Sequence, residues 1–151
     1  MNYKEVIHMI QPFLQRGCDR EHDAYCPTTA PLEFNDFVWH DSSLRNIKID
    51  RTQPGEQDTI EFEIEFDDGL YQIVFESVYW ASFQMNFGVQ AIESIYFAHQ
   101  EGPKSELVQD FYKSRKGFLD GIPLNYYEIE TNSTGSKLQI IAKGFTYKIL
   151  E

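Results

Sequence analysis

The stretch from Asp58 to Glu76, DTIEFEIEFDDGLYQIVFE, decides the fold. Ile60, Phe62, Ile64 and Phe66 alternate with Glu61, Glu63 and Glu65, and Tyr71, Ile73 and Phe75 resume the alternation after Asp67-Asp68-Gly69. A period of two puts successive side chains on opposite faces, so the stretch reads as two half-buried strands joined by a turn. A two-residue turn at Asp68-Gly69 sets Phe66 opposite Tyr71, Ile64 opposite Ile73 and Phe62 opposite Phe75, all on one face. In that register Glu61 stands across from Glu76 on the other face, a like-charge pair that solvent must screen or a cation relieve.

Working outward, Leu44, Ile47 and Ile49 begin a strand, and Gln53-Pro54-Gly55 turns the chain into the hairpin. Val78 to Phe87 alternates again. Ala91 to Ala98 is apolar on both faces, which predicts a central place in a sheet. Two further strands lie around Leu124 to Glu130 and Leu138 to Lys143. Gly144 interrupts the pattern before Phe145, Tyr147 and Ile149 take up the alternation. Two segments read as helices. Residues 2–16 carry an apolar stripe at Val6, Ile7, Ile10, Phe13 and Leu14, ending at Gly17, and Ser105 caps a short helix through Ser114. The expected fold class is α+β: an antiparallel β meander with an N-terminal helix and one inserted helix, all in a single globular domain over residues 1–151. Residues 18–36 form a connection long enough to be functional or mobile.

Of the residues, 42% are hydrophobic and 15% aromatic, enough for one ample core. Lys and Arg total 13 against 24 Asp and Glu, and 13 − 24 gives a net charge of −11. Such a chain repels a phosphate backbone unless its cations cluster, and Lys113, Arg115 and Lys116 are diluted by Glu106, Asp110 and Asp120. Nucleic acid is therefore set aside. No apolar run approaches the roughly 20 residues that cross a bilayer, and the N-terminus lacks the halves of a secretion signal, so no membrane contact and a cytoplasmic location are expected.

Three constellations carry candidate chemistry. Cys18, His22 and Cys26 recur every four residues and would line one side of a helix as metal ligands, but Gly17 and Pro27 point to a loop, where that period has no meaning. Reduced cysteines in a long connection are the alternative, and no cofactor is expected. His40 and Asp41, in Trp39-His40-Asp41-Ser42, are candidate catalytic or ligand-binding residues; the structural alternative buries Trp39 and lets Asp41 or Ser42 bond the backbone. Glu61, Glu63, Glu65 and Glu76 form the third. Side chains two apart on a strand lie about 6.5–7 Å apart, too far for one metal ion to draw three together. The stripe suits either a solvated face that resists edge pairing or a docking surface for a basic protein. Aromatic residues such as Tyr79, Trp80, Tyr126 and Tyr127 fit a sheet core better than a pocket. No phosphate loop, nucleophile elbow or zinc-protease motif is present, so a binder is favoured over an enzyme.

Residues 35–98, opening with Phe37-Val38-Trp39-His40-Asp41-Ser42-Ser43-Leu44 and Ile47-Lys48-Ile49-Asp50, resemble small uncharacterised bacterial proteins, some of them similar to immunity proteins of polymorphic toxin systems. The resemblance implies a small cytoplasmic protein that binds and neutralises a toxin domain, and it transfers no catalytic residue. The alternative is a small ligand-binding domain or metal-assisted hydrolase using His40 and Asp41. A long exposed strand edge would also suit pairing with a second copy in a homodimer.

Overall fold

In the computed structural model, which describes residues 30–88, 93–132 and 134–150, the hairpin is formed by β2 (Thr59–Phe66) and β3 (Gly69–Gln84). Its register is two residues from the expected one. Phe66 pairs with Gly69, Ile64 with Tyr71, Phe62 with Ile73 and Ile60 with Phe75, so Asp67-Asp68 are the turn residues. Neither aspartate has a positive φ, whereas Gly69 carries φ 146°, a conformation L side chains rarely adopt. The sequence Asp-Asp-Gly offers both turns, and glycine after the two central residues is the preference of the common negative-φ type. A shift of two preserves face, so the apolar side chains still share one side. The Glu61–Glu76 pair does not form; Glu61 stands opposite Val74 and Glu76 opposite Thr59.

The other strands are β1 (Ser43–Asp50), β4 (Ile95–Glu101), β5 (Asn125–Thr131) and β6 (Lys137–Ile149), with α1 (Glu106–Ser114) between β4 and β5. All pairings are antiparallel and the sheet order is β1-β2-β3-β6-β5-β4. The expected α+β meander is therefore corrected in two ways. Among the described residues one nine-residue helix accompanies six strands, a mostly β architecture. The strands form two meanders, β1–β3 and β4–β6, joined where β3 pairs along its length with β6. The N-terminal helix expected over residues 2–16 lies outside the described residues. Two compact units divide the chain, Met1–Pro31 and Leu32–Glu151, and every element described here belongs to the second. No helix among the described residues is long and apolar enough to cross a membrane.

Ser77, between the stretch ending at Glu76 and the one expected from Val78, and the interruption at Gly144 both fall inside continuous strands. Phe75 and Val78 pack in the same inner cluster, as do Ala142 and Phe145, although each pair is three residues apart. The alternation changes phase in both strands at one level of the sheet, where Ser77 has φ 52° and Glu76 pairs with Gly144. β4, expected to be central, is an edge strand, and its bulge turns Tyr96 and Phe97 towards solvent.

One face of the sheet holds the larger core. Ile60, Phe62, Ile64, Tyr71, Ile73 and Phe75 meet Tyr127, Ile129, Leu138 and Ile140 there. The segment before β1 crosses this face, its one-turn 3-10 helix (Phe34–Asp36) delivering Phe34, and Phe37 and Trp39 following. Phe34 is fully buried, with its ring 4.6 Å from Trp39, 5.0 Å from Tyr127 and 5.5 Å from Phe145. Burying each such side chain contributes about 1.5–3 kcal/mol. Trp39 Nε1 donates to the Phe34 carbonyl at 2.7 Å, which satisfies its one polar atom. On the other face α1, capped by Ser105 Oγ accepting from the Val108 N–H, presses Val108 against Leu124, Tyr126 and Ile141. The cap stands at the residue the sequence reading assigns.

The same segment closes the β4 edge. The Asn35 amide accepts from the Gln100 N–H at 2.8 Å and donates to the Gln100 carbonyl at 3.3 Å, as a neighbouring strand would. Asp41 N–H donates to the Ile95 carbonyl and Ile95 N–H to the Ser42 carbonyl. At the opposite edge no described residue pairs with the outer side of β1, which carries a bulge between Leu44 and Asn46 and exposed Arg45 and Lys48.

Candidate functional site

β2 lies between β1 and β3, so each glutamate of the stripe has two cross-strand neighbours on the outer face. Glu61 sits between Lys48 and Val74, Glu63 between Asn46 and Gln72, and Glu65 between Ser43 and Leu70. The bulge in β1 swings Arg45 onto Glu65, its Nε 2.6 Å from Oε2. Gln72 Nε2 donates to Glu61 Oε1. Thr146 Oγ1 lies 3.4 Å from Glu76 Oε1, the long limit of a hydrogen bond. Glu63 alone of the four has neither a hydrogen bond nor an ion pair from the described residues. Between residues 43 and 84 the chain carries nine carboxylates and three cations, 3 − 9 = −6, an acidic surplus that Lys148 of β6, opposite Gln72, offsets only in part. Asp58 is held below the usual carboxylate range by Arg51, at 2.9 Å, and by the Gly55 N–H.

The outer face of the second meander holds a cluster that the sequence reading did not single out. Glu128 is 8% exposed and accepts from the Tyr126 hydroxyl and from Gln139 Nε2 at 3.2 Å, while Lys137 Nζ lies 3.2 Å from Glu128 and 3.1 Å from Glu130. Burial alone would raise the Glu128 carboxyl; hydrogen bonds from Tyr126 and Lys137, the Lys137 charge and Gln139 outweigh it and hold the group below its ordinary range. Burial and the bond to Glu128 push the Tyr126 phenol up. His99, paired with Glu128 across β4 and β5, places Nε2 3.3 Å from Glu101 and buries Nδ1 without a partner among the described residues. The Tyr-Tyr-Glu-Ile-Glu run of β5 alternates as β2 does, and that alternation is the signal that could have found Glu128.

His40 and Asp41 fall in the turn leading to β1. Their side chains are 62% and 74% exposed, with His40 Nδ1 3.1 Å from Asp41 Oδ2, and Asp41 has φ 67°. Trp39 beside them is buried, and Ser42 donates to the Trp39 carbonyl through both N–H and hydroxyl. The chain reversal thus places the pair in solvent and the neighbouring side chains in the core. Cys18, His22 and Cys26 lie outside the described residues, among which no group of three or more His, Cys, Asp and Glu is placed to hold a metal ion.

No family model, no curated protein and no solved structure matches this chain.

Proposed function

We propose that the chain is a non-catalytic protein-binding domain of the immunity type, acting in the cytoplasm, whose outer face over β1–β3 meets a basic partner such as a toxin domain. Glu63 is the observation that carries the reading: a carboxylate on a central strand with no cation paired to it among the described residues, on a face where Glu61, Glu65 and Glu76 each have a neighbouring donor. The strands fix the backbone and the Cβ directions of these groups before contact, so that docking has only side-chain rotamers left to order. The surplus negative charge of residues 43–84 draws a cationic surface at long range, raising the association rate and making it salt-dependent. The resemblance read in residues 35–98, to small uncharacterised bacterial proteins of which some are similar to immunity proteins, is in keeping with that class of partner.

The test is capture from an extract of the native cells, with wild type compared against Glu61→Gln/Glu63→Gln/Glu76→Gln. A basic protein retained at equal stoichiometry at low salt, released at high salt and lost by the triple variant is expected. Equal retention by the two forms would remove this face from the interaction.

A further inference from the structure

The loop that follows α1 differs from the rest of this acidic surface. Between residues 104 and 120 the chain places Lys104, Lys113, Arg115 and Lys116 against Glu106, Asp110 and Asp120. Lys113 is 3.4 Å from Asp110, whereas Arg115 and Lys116 have no ion pair among the described residues. The loop is a succession of tight turns: Lys116 N–H donates to the Lys113 carbonyl, Phe118 N–H to Arg115 and Asp120 N–H to Gly117. Tyr112 anchors its far end, donating to the Ile122 carbonyl and accepting from the Leu124 N–H at 2.9 Å. Lys116 at φ 51° and Gly117 at φ 84° are consecutive left-handed residues, and a lysine there is held against its own preference.

This geometry displays Phe118, whose 87% exposure is the highest among the large apolar side chains described. Phe118 lines a groove of about 400 Å³ together with Tyr79, Phe111 and Leu119, and Arg115 and Lys116 line it as well. The Arg115 guanidinium sits 4.8 Å from the centre of the Phe111 ring, a cation–π contact between two residues that line the groove. Apolar walls beside two cations that have no ion pair among the described residues fit an occupant that carries both an apolar side chain and carboxylates.

We propose that this groove docks an acidic peptide segment of a protein partner, with an aliphatic or aromatic side chain against Phe111, Phe118 and Leu119 and flanking carboxylates on Arg115 and Lys116. A bilayer would engage the exposed Phe118 and leave the half-buried Phe111 and Leu119 of the groove without a partner. A second copy joined by a two-fold axis would set Arg115 and Lys116 against their own equivalents. The groove takes Tyr79 from β3 but none of Glu61, Glu63, Glu65 and Glu76, and it does not depend on what binds to them.

The probe is an acetylated, amidated hexapeptide in which Leu-Phe is flanked on each side by two Glu, titrated into the full chain and followed by amide NMR shifts. Saturable shifts at Tyr79, Phe111 and residues 114–119 are expected. Phe118→Ser and Arg115→Gln/Lys116→Asn each change exposed positions, with asparagine accepting the left-handed backbone at 116. Each should weaken binding by about tenfold or more while the thermal midpoint stays unchanged. The proposal is overturned by no saturable shift at millimolar peptide, by shifts elsewhere, or by equal binding in the folded variants. Binding to phosphatidylserine vesicles in place of the peptide, or a dimer abolished by Phe118→Ser, would overturn it in favour of those occupants.

Discussion

β2 and β5 are written in the same alternation and reach different ends. Glu61 and Glu63 in β2 and Glu128 and Glu130 in β5 all point to the outer face, as the period of two requires. Around β2 that face is bounded by β1, an edge strand, and Glu63 remains unpaired by the described residues. Around β5 the neighbours are β4 and β6, α1 lies beside them, and Glu128 becomes a buried acceptor held by Tyr126, Gln139 and Lys137. Alternation determines which way a side chain points. Its solvation is set by what lies next to the strand, so a glutamate at one site has no bond from the described residues and at the other serves the fold.

Phe34→Ala has the largest expected effect, because that ring touches Phe75 of the first meander and Tyr127 and Phe145 of the second. A loss of about 3–5 kcal/mol is expected, read by denaturant unfolding. Two separated unfolding transitions in that variant would mean the halves are independently stable, and the contrast would then concern two domains. Next comes Glu128→Ala, expected to cost about 1.5–3 kcal/mol because it strips the acceptor from Tyr126 and Gln139. The Glu128 carboxyl is depressed below its ordinary 4.5 in the folded chain, so its contribution is complete above that value and is lost as pH falls through the folded pKa. The variant should therefore show a shallower acid-side loss of stability than wild type; unchanged acid titration would remove Glu128 from the account.

Asn35→Ala tests the edges. Loss of both amide bonds to Gln100 should cost about 1–2 kcal/mol and raise concentration-dependent association, read by unfolding and sedimentation. Should a homodimer form in wild type, β1 is the edge left open for it among the described residues, and Arg45→Thr/Lys48→Thr should strengthen that dimer. Glu63→Ala should have the smallest effect on stability, within about 0.5 kcal/mol. A larger destabilisation would mean that Glu63 serves the fold as Glu128 does, and the binding role drawn from its freedom would fall.

The parts of the fold that were legible rest on local chemistry. The facing of the hairpin follows from alternation alone, and the cap of α1 from a serine before an apolar helical run. Errors arose where one local pattern serves two geometries. Asp67-Asp68-Gly69 supports turns two residues apart, and a change of phase at Ser77 or Gly144 looks in sequence like the end of a strand. The apolar residues before and within β4 suggested a central strand because exposure of Tyr96 and Phe97 depends on a bulge and on sheet order. In the acidic stripe, the face was legible but the partners were not. Arg45 reaches Glu65 through the β1 bulge, and Glu128 is buried by contacts from distant segments.

The junction of the two meanders also bears on how fast the molecule forms. Within each meander the strands are linked by neighbours in sequence, but β3 must find β6, bringing Tyr71 to Ile149 and Gln84 to Lys137. Closing so long a stretch of chain carries an entropic penalty that must be met before the new hydrogen bonds repay it. Assembly along that seam is the expected kinetic bottleneck. Pulse-labelled amides within β1–β2 and β4–β5 should gain protection ahead of those between β3 and β6, and a partner that recognises only the finished sheet would have to wait for that final closure.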